Sequence, residues 1–546
     1  MSTKRIELVC VHCKHRLPYD RPTPECPRCG ENILKAEYDL EALRKDHWFE
    51  QLRDRAPSIW RYHELLPIHD TRNIVSMGEG GTPLLPAPQL GSMLGLKHLY
   101  IKDERQGPTG SFKDRQASVA ISVMREMGIK EAVVASTGNV AMAYAAYAAR
   151  AGIKLWTFLT SLVPGQKMRE VAIYGAEVIK VTGTYDEAKI VATEFAKKKG
   201  LYVDRGIKSI AAVESMKTMA YEIAEQLGWR APDWFIQSVS GGMGPIGVAK
   251  GFEELRALGM VEAMPALGIV QSEGCAPMVQ AWKNGQAIAT PVDDPQTMIA
   301  TLSTGNPGRA YQMLWELMQS YGGAAEAASD QEAFNALPLL ARTEGISIEP
   351  ATGVTFAGLF KLVRSGIIKP DDVVVVNCSG HTFPVEKHIL GDRWQHHVDV
   401  TAAGGRINLP TEGLLSAIEQ VGAPLSRVLI IEDNVDAARL VQRLLQAQGE
   451  FEVFTAHDGA EGLRMVQELR PDLVIVDLMM PVVDGFQVIE AINGNQELGD
   501  IPIIVLTAKE LTAHERERLG GQIQALLQKG STLDEHLLQS ILDTLQ

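Results

Sequence analysis

The chain lacks long apolar runs, an excess of positive charge and an apolar leader. No stretch of its 546 residues reaches the roughly 18 consecutive apolar residues of a membrane-spanning helix. The net charge of −14 argues against a broad basic surface for nucleic acid. The opening residues, Met-Ser-Thr-Lys-Arg, contain no signal core. We therefore predict a cytoplasmic protein with neither a membrane nor a nucleic-acid partner.

Cysteine is scarce and unevenly placed, since four of the six cysteines lie within the first 29 residues. The pairs Cys10-x-x-Cys13 and Cys26-x-x-Cys29 can place four thiolates tetrahedrally around zinc. In a reducing compartment such a cluster holds metal more often than disulfides. We predict a structural zinc site in a module that resembles a zinc ribbon. Free or disulfide-bonded cysteines are the alternative, and His12 and His15 are candidates to replace a cysteine ligand. Cys275 and Cys378 stand alone and are expected to be buried, small apolar residues.

From about residue 76 to 400, β-like apolar runs alternate with helical patterns. This alternation predicts an α/β fold with mainly parallel sheets covered by helices on both faces. The predicted domains are 1–40 (zinc ribbon), 41–400 (with a helical lead-in to about 75), 401–424 (linker, including a short helix Leu414–Val421) and 425–546 (a second β/α series). The clearest predicted strands are Glu131–Ala135, Leu155–Leu159, Glu177–Val181, Trp234–Val239, Leu267–Gln271 and Asp372–Asn377.

Four glycine- and hydroxyl-rich segments lie at ends of these elements. Pro108–Arg115 places Lys113 after a Gly/Ser turn and before a helical stretch. Ser136–Asn139 begins an alanine-rich helix, where hydroxyls and free amides suit an anion. The same residues are also typical of a plain helix N-cap with no ligand. The glycines of Ser240–Gly244 let backbone amides close around a phosphate, with a helix predicted to start near residue 246. Asn377–His381 follows a strand and contains Ser379.

Together these segments resemble fold-type II pyridoxal-phosphate (PLP) enzymes, and among them threonine synthases. The resemblance covers roughly residues 75–390. It implies two open parallel-sheet subdomains, a homodimer, and conversion of O-phosphohomoserine and water to threonine and phosphate. The segments that carry it are Gly78–Leu84, Pro108–Arg115, Ser136–Asn139, Gln271–Pro277, Gly305–Pro307, Glu349–Ala351 and Ser379–His381.

The resemblance also assigns roles. Lys113 is the Schiff-base lysine and proton shuttle, and Asn139 binds the ring oxygen of the cofactor. Ser379 binds the ring nitrogen. The substrate carboxylate is expected at Ser136, Thr137 and Gly138, and the cofactor phosphate at Gly241, Gly242, Met243 and Gly244.

Departures from the family pattern keep other functions open. The loop Ser-Gly-Gly-Met-Gly-Pro, residues 204–217 and Gln106 all differ from the usual threonine synthase sequence. Arg115, Arg205 and Lys208 are candidate cations for a substrate phosphate, but each also reads as an ordinary scaffold charge. The alternatives are another fold-type II lyase, such as a dehydratase or a β-replacement enzyme, and a signalling scaffold with an inactive PLP domain.

In residues 425–546, apolar strand-like runs end in carboxylates, a hydroxyl and a lysine. In a parallel sheet such ends meet at one edge, where oxygen ligands suit Mg²⁺. The pattern resembles a flavodoxin-like (βα)5 response-regulator receiver. The resemblance implies a sensor histidine kinase or phosphotransfer protein as phosphoryl donor, although Leu526 and Gly530 depart from the usual pattern. It further implies Asp477 as phospho-acceptor, Mg²⁺ held by Glu432, Asp433, Asp477 and the Met479 carbonyl, and phosphoryl contacts from Thr507 and Lys529.

Overall fold

The computed structural model describes residues 6–19, 25–160, 163–381, 396–399, 427–446, 452–495, 498–499, 501–507, 511–512, 515, 518–523 and 525–528. They form two compact units, one within residues 1–400 and one within 401–546. The predicted linker 401–424, its helix Leu414–Val421, and the residues Lys529 and Gly530 lie outside the described residues. Among the described helices, none has the length and apolarity that crossing a bilayer requires.

The first unit begins with a small antiparallel sheet. Its strands are β1 (Ile6–Cys10), β2 (Arg16–Pro18) and β3 (Leu34–Tyr38), in the order β2-β1-β3. The short helices α1 (Leu40–Lys45) and α2 (Trp48–Gln51) follow. The buried side chains of this sheet belong to the same apolar core as those of the helices and strands behind it.

Two larger sheets make up the rest of the first unit. Their strands are β4 (Leu84–Pro86), β5 (His98–Asp103), β6 (Glu131–Ser136), β7 (Lys154–Thr160), β8 (Glu177–Thr182), β9 (Tyr202–Asp204), β10 (Trp234–Ser238), β11 (Ala266–Ser272), β12 (Gly323–Ala328), β13 (Val373–Cys378) and β14 (His396–Asp399). One sheet has the order β12-β11-β10-β13-β5-β4 and is parallel except at β4. The other is parallel, in the order β14-β8-β7-β6-β9. The six clearest predicted strands are confirmed to within two residues at either end.

Helices cover both faces of the six-stranded sheet. The helices that follow β4 in this unit are α3 (Pro88–Leu94), α4 (Lys113–Glu126), α5 (Asn139–Ala151), α6 (Gly165–Ile173), α7 (Tyr185–Lys199), α8 (Ile210–Gln226), α9 (Met243–Ala257), α10 (Pro277–Lys283), α11 (Arg309–Tyr321), α12 (Asp330–Glu344) and α13 (Pro350–Arg364). Of these, α5, α6 and α7 pack on the five-stranded sheet. Phe235 and Val375 point to the core shared with α8, α9 and α11, whereas Ile236 and Val374 point to the core shared with α12 and α13. Burial on both faces explains why these strands are continuous apolar runs.

The second unit is a five-stranded parallel sheet in the order β16-β15-β17-β18-β19. The elements in chain order are β15 (Arg427–Ile431), α14 (Val435–Gln446), β16 (Glu452–Ala456), α15 (Gly459–Leu469), β17 (Leu473–Val476), α16 (Gly485–Asn493), β18 (Ile503–Thr507) and β19 (Ala525–Gln528). Counted from its own first strand, the order is 2-1-3-4-5, which is the flavodoxin-like arrangement. The carboxyl ends of β15, β17 and β18 therefore lie side by side.

Candidate functional site

The position of Lys113 is fixed by backbone bonds to the end of β13. Lys113 is the first residue of α4. The N–H of Phe112 donates to the Ser379 carbonyl at 3.0 Å, and the N–H of His381 donates to the Gly110 carbonyl at 2.8 Å. The structure therefore brings Lys113 and Ser379 together, although they are far apart in the chain.

The Lys113 amine is set for proton transfer near neutral pH. Burial lowers the pKa of Lys113 to about 8, against the charge of Glu349, which raises it. The amine also lies 4.2 Å from the centre of the Phe112 ring. A base whose pKa lies close to the working pH transfers protons efficiently in both directions.

Glu349 accepts hydrogen bonds from residues of both large sheets' subdomains and so links the two sides of the site. Its Oε1 accepts a 2.8 Å hydrogen bond from the Ser379 hydroxyl, and its Oε2 accepts a 2.8 Å bond from the Asn139 amide. Lys167 Nζ donates to Asn139 Oδ1 at 2.7 Å and lies 3.7 Å from Glu349 Oε2. Thr352, one turn along α13 from Glu349, is within 2.9 Å of the Ser379 hydroxyl.

Two members of this cluster are not predicted as site residues from the sequence. Glu349 enters the family resemblance only as part of the segment Glu349–Ala351, and Lys167 lies outside every segment that carries it. Glu349 directly precedes Pro350, the first residue of α13, and that position was a usable signal. Nothing in the sequence around Lys167 predicts that it belongs to the site, because its burial depends on how α6 packs against the loop at residue 138.

The loop of residues 136–139 is built partly as a helix cap. The Ser136 hydroxyl accepts hydrogen bonds from the N–H groups of Gly138 and Ala141, both at 3.0 Å. The Ser136 oxygen therefore caps the start of α5. A hydroxyl that accepts hydrogen bonds can still donate its own hydrogen, so the contact of Ser136 with substrate stays a prediction. Gly138 has φ +134°, a conformation that favours glycine. The Thr137 hydroxyl is half-buried and has no hydrogen-bond partner among the residues described.

The glycine-rich loop presents free amides at the start of α9, which begins at Met243 rather than near residue 246. Within the described part of the chain, the N–H groups of residues 241–244 donate no hydrogen bond. Gly242 has φ +76°, and a Cβ there would lie 2.7 Å from Leu314. Unsatisfied amides at a helix N-terminus bind anions such as phosphate.

Buried polar atoms without partners lie near the same strand ends. Gln237 and Asn377 are 2% and 0% exposed. Within the described residues, Gln237 Oε1 and both polar atoms of the Asn377 amide have no hydrogen-bond partner. Such atoms are rare in native proteins unless a bound group or water satisfies them. The amine, the amide-lined loop and these atoms fit a phosphorylated aldehyde cofactor with polar ring substituents.

Arg115 is a scaffold residue and is unavailable to a substrate phosphate. Its side chain is 1% exposed and donates to Glu104 and Glu222 at 2.7 Å. Both carboxylates are buried as well, so the guanidinium charge is already neutralised. Arg205 and Lys208 are exposed.

The four N-terminal cysteines form a cluster whose sulfur atoms all lie within 4.8 Å of one another. Cys10 Sγ and Cys29 Sγ are 3.6 Å apart, as are Cys13 Sγ and Cys26 Sγ. Zinc–sulfur bonds of about 2.3 Å in a tetrahedron require sulfur separations of about 3.8 Å. Burial raises the pKa of the Cys26 thiol, but backbone hydrogen bonds from Arg28 and Cys29 lower it to about 7. The donor set suits zinc.

The predicted lone cysteines are confirmed as buried. Cys275 and Cys378 are both 0% exposed. Burial raises the pKa of the Cys275 thiol to about 11 and that of Cys378 further.

An acidic cluster lies at the carboxyl edge of the second unit. Ligand oxygens of Glu432, Asp433 and Asp477 lie within 4.8 Å of one another. The Met479 N–H donates to Asp477 Oδ1 at 3.2 Å, and Thr507 is buried at the end of β18. Three carboxylate oxygens at this spacing suit Mg²⁺. Lys529 lies outside the residues described, so its predicted contact stays a prediction.

Gly485 is required by the backbone beside Asp477. A Cβ at this position would lie 2.2 Å from the Asp477 carbonyl oxygen. Asp484 caps α16, and Gly485 lets the backbone pass close to Asp477 at the end of β17.

Comparison with known proteins agrees with this geometry. Residues 75–380 match the family model of pyridoxal-phosphate dependent enzymes, and residues 428–541 match the response regulator receiver domain. Threonine synthase from Methanocaldococcus jannaschii is 38% identical over 373 residues, covering 68% of this chain and 91% of that protein. Threonine synthase from Methanosarcina acetivorans is 36% identical, covering 68% and 91%.

Among solved structures, threonine deaminase isoform 2 from Solanum lycopersicum is 22% identical with a TM-score of 0.49, covering 62% of this chain and 90% of that one. A pyridoxal-phosphate dependent enzyme of this family implies an amino-acid substrate, and a receiver domain implies a phosphoryl donor. The chain belongs to the pyridoxal-phosphate dependent enzymes, is similar to threonine synthases, and carries a response regulator receiver domain.

Proposed function

We propose that the protein is a threonine synthase, which converts O-phosphohomoserine and water to threonine and inorganic phosphate. The observation that carries the proposal is the 38% identity to a threonine synthase across 91% of that relative's length. Backbone hydrogen bonds hold the segment of Lys113 beside Ser379, and the carboxylate of Glu349 acts on the Lys113 amine, which supports the proposal.

The residues that would hold PLP are Lys113, Asn139, Ser379 and the amides of 241–244. When bound, PLP delocalises negative charge from the substrate's α-carbon. Released as a free amine with a pKa of about 8, Lys113 would take the α-proton and return protons later in the reaction. Elimination removes a β-proton and breaks the bond between the γ-carbon and the phosphate oxygen, which leaves as inorganic phosphate. The γ-carbon then gains a proton, water adds its hydroxyl to the β-carbon, and the α-carbon regains its proton, so the product is threonine.

One assay separates this function from other PLP lyases. Phosphate release from O-phosphohomoserine is compared with keto-acid formation from threonine and serine. Equimolar phosphate and threonine are expected from O-phosphohomoserine, with Lys113→Ala inactive. Keto-acid formation without phosphate release would identify a dehydratase and reject the proposal. Failure to bind PLP would support the scaffold alternative.

We also propose that the four cysteines hold one structural zinc ion, and that the receiver binds Mg²⁺ and accepts a phosphoryl group on Asp477. The homodimer remains a prediction from the resemblance, and the domain boundaries remain predictions from the sequence pattern.

Phosphorylation of the receiver is proposed to regulate the enzyme, an idea motivated by the fusion of the two domains. Acetyl phosphate with Mg²⁺ is expected to change kcat or KM of the wild type and not of Asp477→Asn. Identical kinetics with and without acetyl phosphate, in a wild type shown to be phosphorylated, would reject the coupling.

A further inference from the structure

The carboxylate of Asp186 holds two consecutive backbone amides of a distant segment. Asp186 is the second residue of α7, and Lys189 on the same helix forms an ion pair with it. Asp186 Oδ2 accepts 3.1 Å hydrogen bonds from the N–H groups of Gly305 and Asn306. Successive backbone N–H groups form a concave anion site, and here a carboxylate of the same chain fills it. Glycine is required at position 305, because a Cβ would lie 2.0 Å from the Val292 carbonyl oxygen.

These two hydrogen bonds cross from one large sheet to the other. On the side of Asp186, the buried alanines of α7 pack in the core of the five-stranded sheet. On the other side, Ile299 and Leu302 lie in the core that the six-stranded sheet shares with α12 and α13. Hydrogen bonds to a charged acceptor are stronger than those between neutral groups. Asp186 therefore fastens residues 303–306 firmly to the neighbouring subdomain.

The fastened segment contacts the start of the glycine-rich loop. Thr304 is buried, and its hydroxyl shares a hydrogen bond with the hydroxyl of Ser240. Ser240 directly precedes the amides of residues 241–244. Thr304 in turn directly precedes Gly305, whose N–H is bound by Asp186. A change in the position of Gly305 would therefore move Thr304 and, through it, the first residue of the loop.

We infer that Asp186 is a positioning residue for the cofactor phosphate. It holds residues 304–306, and Thr304 then keeps Ser240 and the glycine-rich loop in the shape that binds the phosphate. The negative charge of Asp186 would repel a phosphate at close range, so Asp186 acts through the segment that it holds. The inference rests on the proposed function for the cofactor site alone, and not on which amino acid reacts there.

The test compares two cofactors that differ only in the phosphate. PLP and pyridoxal are titrated separately into cofactor-free protein, and binding is read from the absorption change when the aldehyde joins Lys113. The Kd of pyridoxal divided by the Kd of PLP measures the preference for the phosphate. In Asp186→Ala, we expect this preference to fall about tenfold, since two hydrogen bonds to a charged group are lost. The Kd of pyridoxal should stay within about twofold, because pyridoxal presents no anion to the loop.

Three further variants separate this chain of contacts from general damage to the fold. Glu194→Ala removes an exposed carboxylate from the same helix and should leave both Kd values unchanged. Asp186→Asn keeps an oxygen acceptor and should recover part of the preference for PLP. Thr304→Val keeps the shape of the side chain but breaks the link to Ser240, so it should lower the preference as well. Added to Asp186→Ala, it should have little further effect, because residues that act through one set of contacts are not additive.

Each other outcome overturns the inference in a recognisable way. Equal weakening of PLP and pyridoxal in Asp186→Ala would make Asp186 a purely structural residue. An unchanged preference in that variant, beside a strong preference in wild type, would show that the loop does not depend on Asp186. Full additivity with Thr304→Val would place the effect of Asp186 outside the contact with Ser240. A wild type that binds both cofactors equally would reject the loop as the phosphate site, and the inference with it. No amino acid enters these titrations, so a reaction other than threonine synthesis leaves the test intact.

Discussion

At the scale of single residues, the chemistry depends on the charge of one amine. Lys113 must be neutral to form its bond with the cofactor aldehyde, and burial lowers its pKa to about 8. Below this pH the protonated fraction grows, so the rate of cofactor capture should fall about tenfold per pH unit. Above it, the rate should level off. Rapid mixing of cofactor-free protein with PLP, followed by absorption across a pH series, measures this profile.

Changing Glu349 should move that profile in a known direction. The negative charge of Glu349 favours protonated Lys113 and so raises its pKa. Glu349→Gln removes the charge, and the midpoint of the capture profile should shift to lower pH. Glu194→Gln, at an exposed position on α7, should leave the midpoint unchanged. A shift to higher pH in Glu349→Gln would contradict the assigned electrostatics.

At the scale of elements, a buried ion network joins β5, α4 and α8. Glu222 accepts hydrogen bonds from Arg115 at 2.7 Å and from Lys102 at 2.8 Å. Burial raises the pKa of Glu222, but Arg115 and Lys102 outweigh it and hold the pKa well below its ordinary value of 4.5. The contribution of ionised Glu222 to the stability of the folded state is therefore complete above about pH 4.5. It is lost as the pH falls through the lowered pKa of Glu222.

Glu222→Gln should destabilise the first unit strongly. It leaves two buried cations facing one remaining carboxylate, Glu104, and such losses cost about 3–5 kcal/mol. Asp371→Asn breaks the exposed pair with Lys97 and should cost far less, because exposed ion pairs add little to stability. Urea unfolding at pH 7 gives both free energies. Similar costs for the two variants would show that the buried network adds no more than a surface pair.

The close packing of α8 and α9 depends on a small residue. A Cβ on Gly251 would lie 2.6 Å from both Ala220 Cβ and the Lys217 carbonyl oxygen, so Gly251→Ala must push the helices apart. Overpacking of this kind costs about 1–3 kcal/mol. Gly165→Ala, where the nearest atom is 4.0 Å away, should be neutral or stabilising by up to about 1 kcal/mol. Thermal unfolding of the two variants compares them directly, and equal Tm values would refute the packing argument.

Sequence patterns predicted the strands better than the lead-in at 41–75. Buried parallel strands such as Val373–Cys378 are unbroken apolar runs, and they are easy to recognise. The lead-in instead forms α1, α2 and short 3₁₀ segments such as Ile59–Leu65. Pro57 and Pro67 flank that segment and interrupt a longer helix. Trp60 and Tyr62 are buried in the core, so tertiary packing outweighs helical propensity there.

The site was predictable where chemistry coincided with a local motif. Lys113 follows a Gly/Ser turn, and Ser379 follows a buried strand. Glu349 and Lys167 come from distant segments that meet only when the two large sheets pack together. Arg115 is a case where sequence position misleads. It lies two residues after Lys113, yet its charge is neutralised by Glu104 and Glu222, and the sequence does not predict these contacts.

At the scale of the whole molecule, the cysteine module shares its core with the PLP-binding unit. Cys10 and Cys26 belong to the same buried cluster as Ile121, Val134 and Tyr144 of the sheet and helices behind them. Lys250 on α9 also donates to the Ala36 carbonyl on β3 at 2.7 Å. A metal that orders this module should therefore stabilise the whole first unit, since a ligand bound only by the folded state raises its stability.

Cys29→Ser tests this link with little damage to packing, because Cys29 is exposed. We expect wild type to hold one zinc per chain by elemental analysis, and the variant to lose most of it. Unfolding monitored through the cofactor should occur several degrees lower in the variant, because about 1 kcal/mol shifts Tm by a few degrees in a domain of this size. Arg28→Ser, at the exposed neighbouring position, should keep both zinc and Tm. Chelation should lower the wild-type Tm and leave Cys29→Ser unchanged. Zinc loss without any change in the cofactor-monitored transition would mean that the module folds independently, despite the core it shares.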